Sequence, residues 1–268
     1  MNDRKKIAVT GATGRLGGPL VELLEAAGHE VVRISRSRGV DLIGGDGLED
    51  ALAGVDTVVE AATGDSPDQE AATGFFLTAA RNLHEAGEKA GVRRIVLVSI
   101  IGCDRFRGGG TFGGYYVAKT AQERALRDGP IPVAILRAAQ FHEFVGQLLD
   151  WTTEDDAAHL PAMRTQLVAA HTVAEALASL AAGDGDPVEG AAIPEIAGPR
   201  AENLVDAARL LAAQRGAPAR VEESVDPEDP DRDLLAGEGL LPGPDATLAG
   251  PTFEEWLTAR AGVKRGTR

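Results

Sequence analysis

The chain has 268 residues with 33 glycines and only 4% aromatics, a composition that suits close helix–sheet packing better than an aromatic-rich β-sandwich. Its 27 basic and 41 acidic residues give a formal charge of −14, spread along the chain rather than gathered in a tail. Such a surface repels phosphate backbones and anionic lipid, which argues against nucleic acid or membrane as the main partner; the plain alternative is that the charge serves only solubility.

In chain order, KKIAVT (5–10) reads as a buried strand that ends in a Gly-rich turn. Leu16, Leu20, Leu23, Leu24 and Ala27 recur at helical spacing and stop at Gly28, with Pro19 early in that helix, where a missing N–H costs little. EVVRIS (30–35) predicts a second strand, DLIGGD (41–46) a short third and DTVVEAA (56–62) a fourth. A helix is expected from about Ala72 to Ala90, then the strand RRIVLVSI (93–100), a helix from about Tyr115 to Arg127, and the strand IPVAILRA (131–138). Apolar runs without polar alternation imply strands buried on both faces, hence an α/β fold with a doubly wound parallel sheet of Rossmann type.

Beyond Ala138 the rhythm loosens. Helices are expected near 141–157, 172–182, 202–214 and 252–261, with short strands at 192–197 and 218–222. The Pro-, Gly- and Asp-rich stretch 223–251 reads as a surface loop. The expectation is one domain over 1–268: a nucleotide-binding core to about 140 and a small, mostly helical C-terminal substrate lobe over about 141–268.

TGATGRLGG (10–18) carries the first functional signal. It follows a predicted strand and opens a predicted helix, the context in which a glycine triplet binds a dinucleotide. Gly11 permits the tight turn, Gly14 lets backbone approach a pyrophosphate, and Gly17 lets the helix pack close to the sheet. The helix N-terminus then offers free N–H groups to phosphate, with Thr13, Arg15 and Leu16 completing the turn. The second strand ends in Ser35-Arg36-Ser37-Arg38, without the acid that accepts from a ribose 2′-hydroxyl. Arg36 and Arg38 are guanidinium groups suited to a 2′-phosphate, so NADP(H) is the expected cofactor; the alternative is a solvated arginine pair. Asp46 is read either as an acceptor for the adenine amino group or as a plain turn aspartate.

The only two tyrosines are adjacent in GYYVAK (114–119). Tyr115 and Lys119 are four apart at a helix start and share a face, so a nearby cation is expected to lower the phenol's pKa. Tyr115 is then the candidate proton donor to a carbonyl, Lys119 its partner and a holder of the nicotinamide ribose, and Ser99 a hydrogen-bond donor to the substrate oxygen. The alternative is that Tyr115 packs and Lys119 is solvated.

Together TGATGRLG, ISRS, GVDTVVEAAT, GVRRIVLVS, YYVAK and ILRAAQFHEF resemble the short-chain dehydrogenase/reductase superfamily, and most of all its atypical NmrA-like NAD(P)H-binding branch, over about 5–182. Weaker echoes follow at IAGP (196–199) and TFEEWL (252–257). The resemblance implies pyrophosphate at Gly11, Gly14 and Gly17, the adenosine 2′-phosphate at Arg36, and adenosine beside Ala61, Ala62 and Thr63. It also implies a triad of Ser99, Tyr115 and Lys119, with Gln140, Phe141 and His142 on the loop facing nicotinamide and substrate. Two features depart from the pattern. RFRGGGTFGG (105–114) lengthens the connection from Ser99 to Tyr115 and puts the role of Ser99 in doubt, and the branch includes cofactor sensors that do no chemistry.

Cys103 is the only cysteine, so no intramolecular disulfide forms, and a reducing compartment fits. No apolar window approaches the ~20 residues of a membrane span, and no secretory leader is apparent, so a cytoplasmic protein is expected. The five scattered histidines suggest no metal site, and neither a hydrolase elbow nor a P-loop is present. His142 is read equally as a pocket residue or a helix cap. The expected activity is NADPH-dependent reduction of a small, apolar carbonyl or quinone-like compound. The alternatives are an epimerase or dehydratase that retains NADP, or a non-catalytic NADP(H) sensor. A homo-oligomer is compatible with the sequence.

Overall fold

The structure, a computed structural model, describes residues 4–110, 112–185 and 190–266. Thr111 of the Gly-rich stretch lies outside the described residues.

The first half alternates strand and helix: β1 (Lys6–Thr10), α1 (Gly17–Ala26), β2 (Glu30–Ile34), α2 (Leu48–Leu52), β3 (Thr57–Glu60), α3 (Gln69–Ala90), β4 (Arg94–Ile100), α4 (Gly113–Arg127) and β5 (Val133–Ala138). There follow α5 (His142–Thr152), β6 (Thr153–Glu154), β7 (Ala157–Pro161), β8 (Arg164–Thr165), α6 (Ala170–Ala182), β9 (Glu195–Ala197), β10 (Glu202–Asn203) and α7 (Leu204–Arg215). The last elements are β11 (Arg220–Ser224), α8 (Arg232–Ala236), β12 (Thr247–Leu248) and α9 (Phe253–Gly266).

Seven strands form one parallel sheet in the order β12-β9-β5-β4-β3-β1-β2, with Ile7 opposite Val31 on one side and Thr57 on the other. Strand residues alternate between two cores. Val9, Val59, Val96 and Leu136 pack against Leu20 and Leu24 of α1 and Val173 and Leu177 of α6. Ala8, Val58, Ile95 and Ile135 face Leu83 of α3 and Leu126 of α4. Helices on both faces explain the uninterrupted apolar runs. The chain leaves β1 towards β2 and returns to the other side of β1 as β3, so the strand order reverses between the carboxyl ends of β1 and β3, the place where such sheets bind ligands.

Three expectations need correction. DLIGGD (41–46) is not a strand, and β2 is the sheet edge. The Asp41 carboxylate accepts from Ile43 N at 2.9 Å and its carbonyl from Gly45 N at 2.8 Å, while Gly45 adopts φ +82°. That side-chain-closed turn competes with strand pairing, and burial of Leu42 anchors it. The helix expected over 141–157 stops at Thr152, because Asp155 and Asp156 take positive φ and close a two-residue hairpin between β6 and β7. The stretch 223–251 is more than a surface loop: it holds α8 and β12 and buries Leu235 and Leu240 in a third core with Val145, Leu148, Leu160, Leu204 and Phe253.

The carboxyl end of α6 is capped by a buried arginine from β4. Arg94 donates to the carbonyls of Leu180 at 2.7 Å, Ala181 at 2.9 Å and Gly185 at 2.8 Å, and also to that of Gly183. Lys5 adds a bond to Gly183 O at 2.8 Å. A cation here satisfies the orphan carbonyls and complements the helix dipole. Replacing Arg94 with Met takes this donor from the carbonyls of Leu180, Ala181 and Gly185, leaving Gly183 O to Lys5, and is expected to cost about 3 kcal/mol, read as a lower urea midpoint at unchanged slope. A midpoint equal to wild type would remove the cap from the account. Among the described residues no helix is long and apolar enough to cross a membrane.

Candidate active site

The Gly-rich turn lies at the reversal point. Gly11 has φ +60°, and a Cβ there would lie 2.7 Å from Ala61 O, so the turn runs directly against the end of β3. A Cβ on Gly17 would collide with the carbonyl of Gly11, so only glycine lets α1 start this close to its own strand. Gly14 N donates to Gly11 O at 2.8 Å, and Thr13, Gly14 and Arg15 are exposed, while Leu16 is buried in the core. Helix α1 has no side-chain cap and no acid in its first turn. An exposed backbone turn feeding an uncapped helix N-terminus is what a pyrophosphate requires, so these residues fit a dinucleotide.

At the end of β2 the chain forms a short 3₁₀ turn over Arg36–Arg38. Arg36 pairs with Asp65 at 3.1 Å, both well exposed, and Arg38 makes no ion pair among the described residues. Ala61 and Ala62 are half-buried after β3, their N–H groups held by Thr10 Oγ1 at 3.0 and 3.2 Å. Asp46 does not end a strand: it lies exposed in the 41–46 turn, where its carbonyl accepts from Asp41 N at 2.9 Å.

Tyr115 and Thr63 meet across this crevice, with 3.1 Å between the phenol and threonine hydroxyls. The Tyr115 ring stands edge-on to Phe76, centroids 5.8 Å apart. Burial pushes the phenol's pKa above its ordinary value of 10, and the Thr63 bond offsets only part of this. This reverses the sequence expectation, for a structural reason. Lys119 does not bond Tyr115; its Nζ donates to Val98 O at 2.9 Å and to Gln122 Oε1 at 2.5 Å, and lies 4.8 Å from the centre of the Phe76 ring. Those three engagements use all the donor directions of an ammonium.

Below Lys119 is a buried polar cluster that the motif reading passed over. Glu60, at the end of β3, accepts from Thr10 Oγ1 at 2.7 Å and from Gln122 Nε2 at 3.5 Å. Gln122 thereby links the carboxylate to the ammonium. Burial raises Glu60 to about 7, against the Thr10 bond and the Lys119 charge. Burial lowers Lys119 to about 8, against the charges of Glu60, Cys103 and Glu123. Two signals were available in the sequence: an acid closing the otherwise apolar TVVE, and Gln122 and Glu123 three and four residues after Lys119 on one helix face.

Ser99 is buried. Its Oγ lies 3.7 Å from Cys103 Sγ, beside the pair in which Arg137 grips Glu123 through Nε at 2.9 Å and Nη2 at 2.8 Å. Gln140 is likewise held within the protein: its Nε2 donates to Tyr116 at 3.4 Å, and its Oε1 accepts from Thr165. Phe141 is half-buried and bridges to Val168 through its backbone. His142 is fully buried against Phe253 and Trp256 of α9, with Nε2–H donating to Pro251 O at 3.1 Å, and burial lowers its pKa to about 4. The structure thus brings together the glycine turn, Ala61 to Thr63 and Tyr115. It places Ser99, Gln140 and His142 in surrounding packing. Among the described residues no cluster of His, Cys, Asp and Glu could hold a metal ion.

Comparison with solved structures finds the same fold over nearly the whole chain. MoeE5 in complex with UDP-glucose and NAD is 20% identical with TM-score 0.69, covering 98% of this chain and 99% of that one. TunA, a NAD-dependent NDP-hexosamine 5,6-dehydratase of tunicamycin biosynthesis, is 16% identical with TM-score 0.67, covering 98% of each chain. The UDP-N-acetylglucosamine 4-epimerase of Bacillus cereus is 20% identical with TM-score 0.65, covering 98% of this chain and 97% of that one. Comparison with curated proteins finds no match. The NAD(P)H-binding family model matches residues 11–184, which takes in the glycine turn, Tyr115 and Lys119, and the chain therefore belongs to the NAD(P)H-binding family.

Proposed function

We propose that the chain is an NADPH-dependent oxidoreductase of atypical, NmrA-like short-chain dehydrogenase/reductase type that reduces a small apolar carbonyl or quinone-like compound. The observation that carries this reading is the 3.1 Å contact between Tyr115 and Thr63, which sets a phenol at the mouth of the crevice floored by the Gly11 turn. Bound there, the dinucleotide supplies a hydride. Gly11, Gly14 and the N-terminus of α1 hold its pyrophosphate, and Arg36 and Arg38 its 2′-phosphate. Tyr115, kept protonated by burial, donates a proton to the substrate oxygen as the hydride arrives. Lys119 acts from beneath as a fixed charge beside the crevice.

The Asp65 carboxylate competes with a 2′-phosphate for Arg36. Wild type is expected to bind NADPH at least ~10-fold more tightly than NADH. Asp65→Asn should tighten NADPH up to ~5-fold, the worth of an exposed pair, and leave NADH unchanged. Calorimetric titration with both cofactors checks this, and equal or better affinity for NADH sinks the NADPH assignment.

The full-length likeness to sugar-nucleotide epimerases and dehydratases supports a second reading, in which the cofactor is retained and recycled. Net NADPH oxidation on a ketone favours the first reading; conversion without net oxidation favours the second. A wild type that binds NADPH but turns over no ketone or quinone favours a sensor.

A further inference from the structure

The C-terminal lobe encloses a cavity of about 420 Å³ between α5, α8 and the β7–β11 edge. This is within the range of small-molecule sites. Its wall is apolar, built from Phe112, Leu148, Leu235 and the half-exposed Trp151. It adjoins the crevice: Phe112 O accepts from Tyr115 N at 3.1 Å, and Pro67, four residues past Thr63, also lines it.

The charges around the cavity are those of a site that refuses anions. Asp226, Asp229 and Asp233 lie on its lining. The basic side chains on the lining are each beside a carboxylate: Arg232 is 3.7 Å from Asp233 and donates to Pro227 O, and His159 is 3.9 Å from Glu222. The other place nearby that would receive a phosphate is the Gly-rich approach to α4, and the chain's own carboxylate fills it. Asp231 Oδ2 accepts from Arg107 N at 2.9 Å and Gly108 N at 3.1 Å, and a Cβ on Gly113 would lie 2.8 Å from the same oxygen. Asp231 is itself held by Asp229, which accepts from its N–H at 2.8 Å. A nucleoside diphosphate in this lobe would meet three carboxylates and find its amide donors taken.

We propose that this cavity is the substrate site and takes a compact, uncharged, apolar carbonyl compound, to the exclusion of nucleoside-diphosphate sugars. The inference rests on the oxidoreductase reading and deepens it by naming where the substrate sits and which charge it lacks. Phe112 and Trp151 contact the hydrocarbon part, and the carbonyl reaches past Phe112 towards the Tyr115 phenol.

Calorimetry on the full chain saturated with NADP⁺ tests this with three probes: 4-phenyl-2-butanone, the similarly sized anion 3-phenylpropionate, and UDP-glucose. The ketone is expected to bind at least ~10-fold more tightly than the acid, with no saturable binding of UDP-glucose. Ala236→Trp, at an exposed lining position, should abolish ketone binding and leave NADP⁺ affinity unchanged. Asp226→Asn combined with Asp233→Asn should narrow the ketone-to-acid ratio to below ~3-fold. Binding of the acid or UDP-glucose as tightly as the ketone overturns the proposal, as does no ketone binding by wild type or unaltered ketone binding in Ala236→Trp. A chain that binds NADP⁺ but not the ketone fails on the cavity alone. One that does not bind NADP⁺ fails the parent reading, and the probes are then compared without cofactor against the same criteria.

Discussion

Replacing Tyr115 with phenylalanine is expected to lower turnover of a ketone by about 10²–10⁴-fold while leaving NADPH affinity within ~2-fold of wild type. The substitution removes one hydroxyl and keeps the ring that packs edge-on against Phe76, so the core beneath loses nothing. What is lost is the proton source. The partner left behind is Thr63, which is exposed and turns to water, so no buried polar group is stranded. The effect should fall on kcat and on kcat/KM alike, because the proton moves only as the carbonyl oxygen gains charge. Because the phenol's pKa is raised, the donor itself should not be lost across the neutral range, and the first alkaline limb of wild-type reduction should be that of Lys119, which titrates at about 8. Steady-state kinetics of both proteins across pH settle the matter. A Tyr115→Phe protein that reduces ketones at the wild-type rate removes Tyr115 from the chemistry.

The parts of this architecture that were legible in the sequence share one property: their signal is local. Ile7 to Thr10, Thr57 to Val59 and Arg94 to Ile100 are apolar runs because both faces of each strand are covered, and a run can be read without knowing what covers it. The glycine turn was legible for the same reason, since Gly11 and Gly17 answer to contacts within a few residues or one strand away. The edge of the sheet was not. Leu42 and Ile43 look like strand residues, and only the Asp41 side chain and the two glycines after Ile43 decide for a turn. Nor was the lobe: Asp229, Asp231, Leu235 and Leu240 are buried, yet they are scattered among Pro and Gly with no period to betray them.

The site divides along the same line. Tyr115 and Lys119 stood out by spacing, but spacing says nothing about which acceptors a lysine finds. Lys119 takes Gln122 on its own helix, but also Val98 O of β4 and the Phe76 face of α3, which only folding brings to it. The expected fall in the Tyr115 pKa failed because it counted the charge nearby in sequence and left out desolvation. Gln140 and His142 show the converse. Polar groups in an apolar stretch suggested a pocket; Tyr116 and Thr165 engage Gln140 and Pro251 O engages His142 Nε2 inside the protein, while the buried His142 Nδ1 has no partner among the described residues.

The Glu60 cluster carries the other large expected effect, and its sign follows from linkage. Glu60 titrates at about 7 in the folded chain against an ordinary 4.5, so between those values the native state keeps a proton that the unfolded state releases. Stability therefore falls as pH rises from 4.5 to 7. Lys119 titrates at about 8 against an ordinary 10.5, so between those values the unfolded state binds a proton that the native state does not, and stability rises with pH. The wild type is accordingly least stable near pH 7–8. Glu60→Gln removes the first limb: the fall between pH 5 and 7, up to about 3 kcal/mol, should vanish. The same change deprives Lys119 of its counter-charge, so the rising limb should begin below pH 8. Loss of the ammonium beneath the crevice should then appear in turnover as an alkaline limb moved to lower pH, which Glu60→Asp restores towards wild type. Urea unfolding at pH 5, 6, 7 and 9 reads the stability limbs directly. A wild type of constant stability from pH 5 to 7, or a Glu60→Gln protein that keeps the wild-type slope, would show that the carboxyl at 60 is not the group whose burial sets the charge under Tyr115.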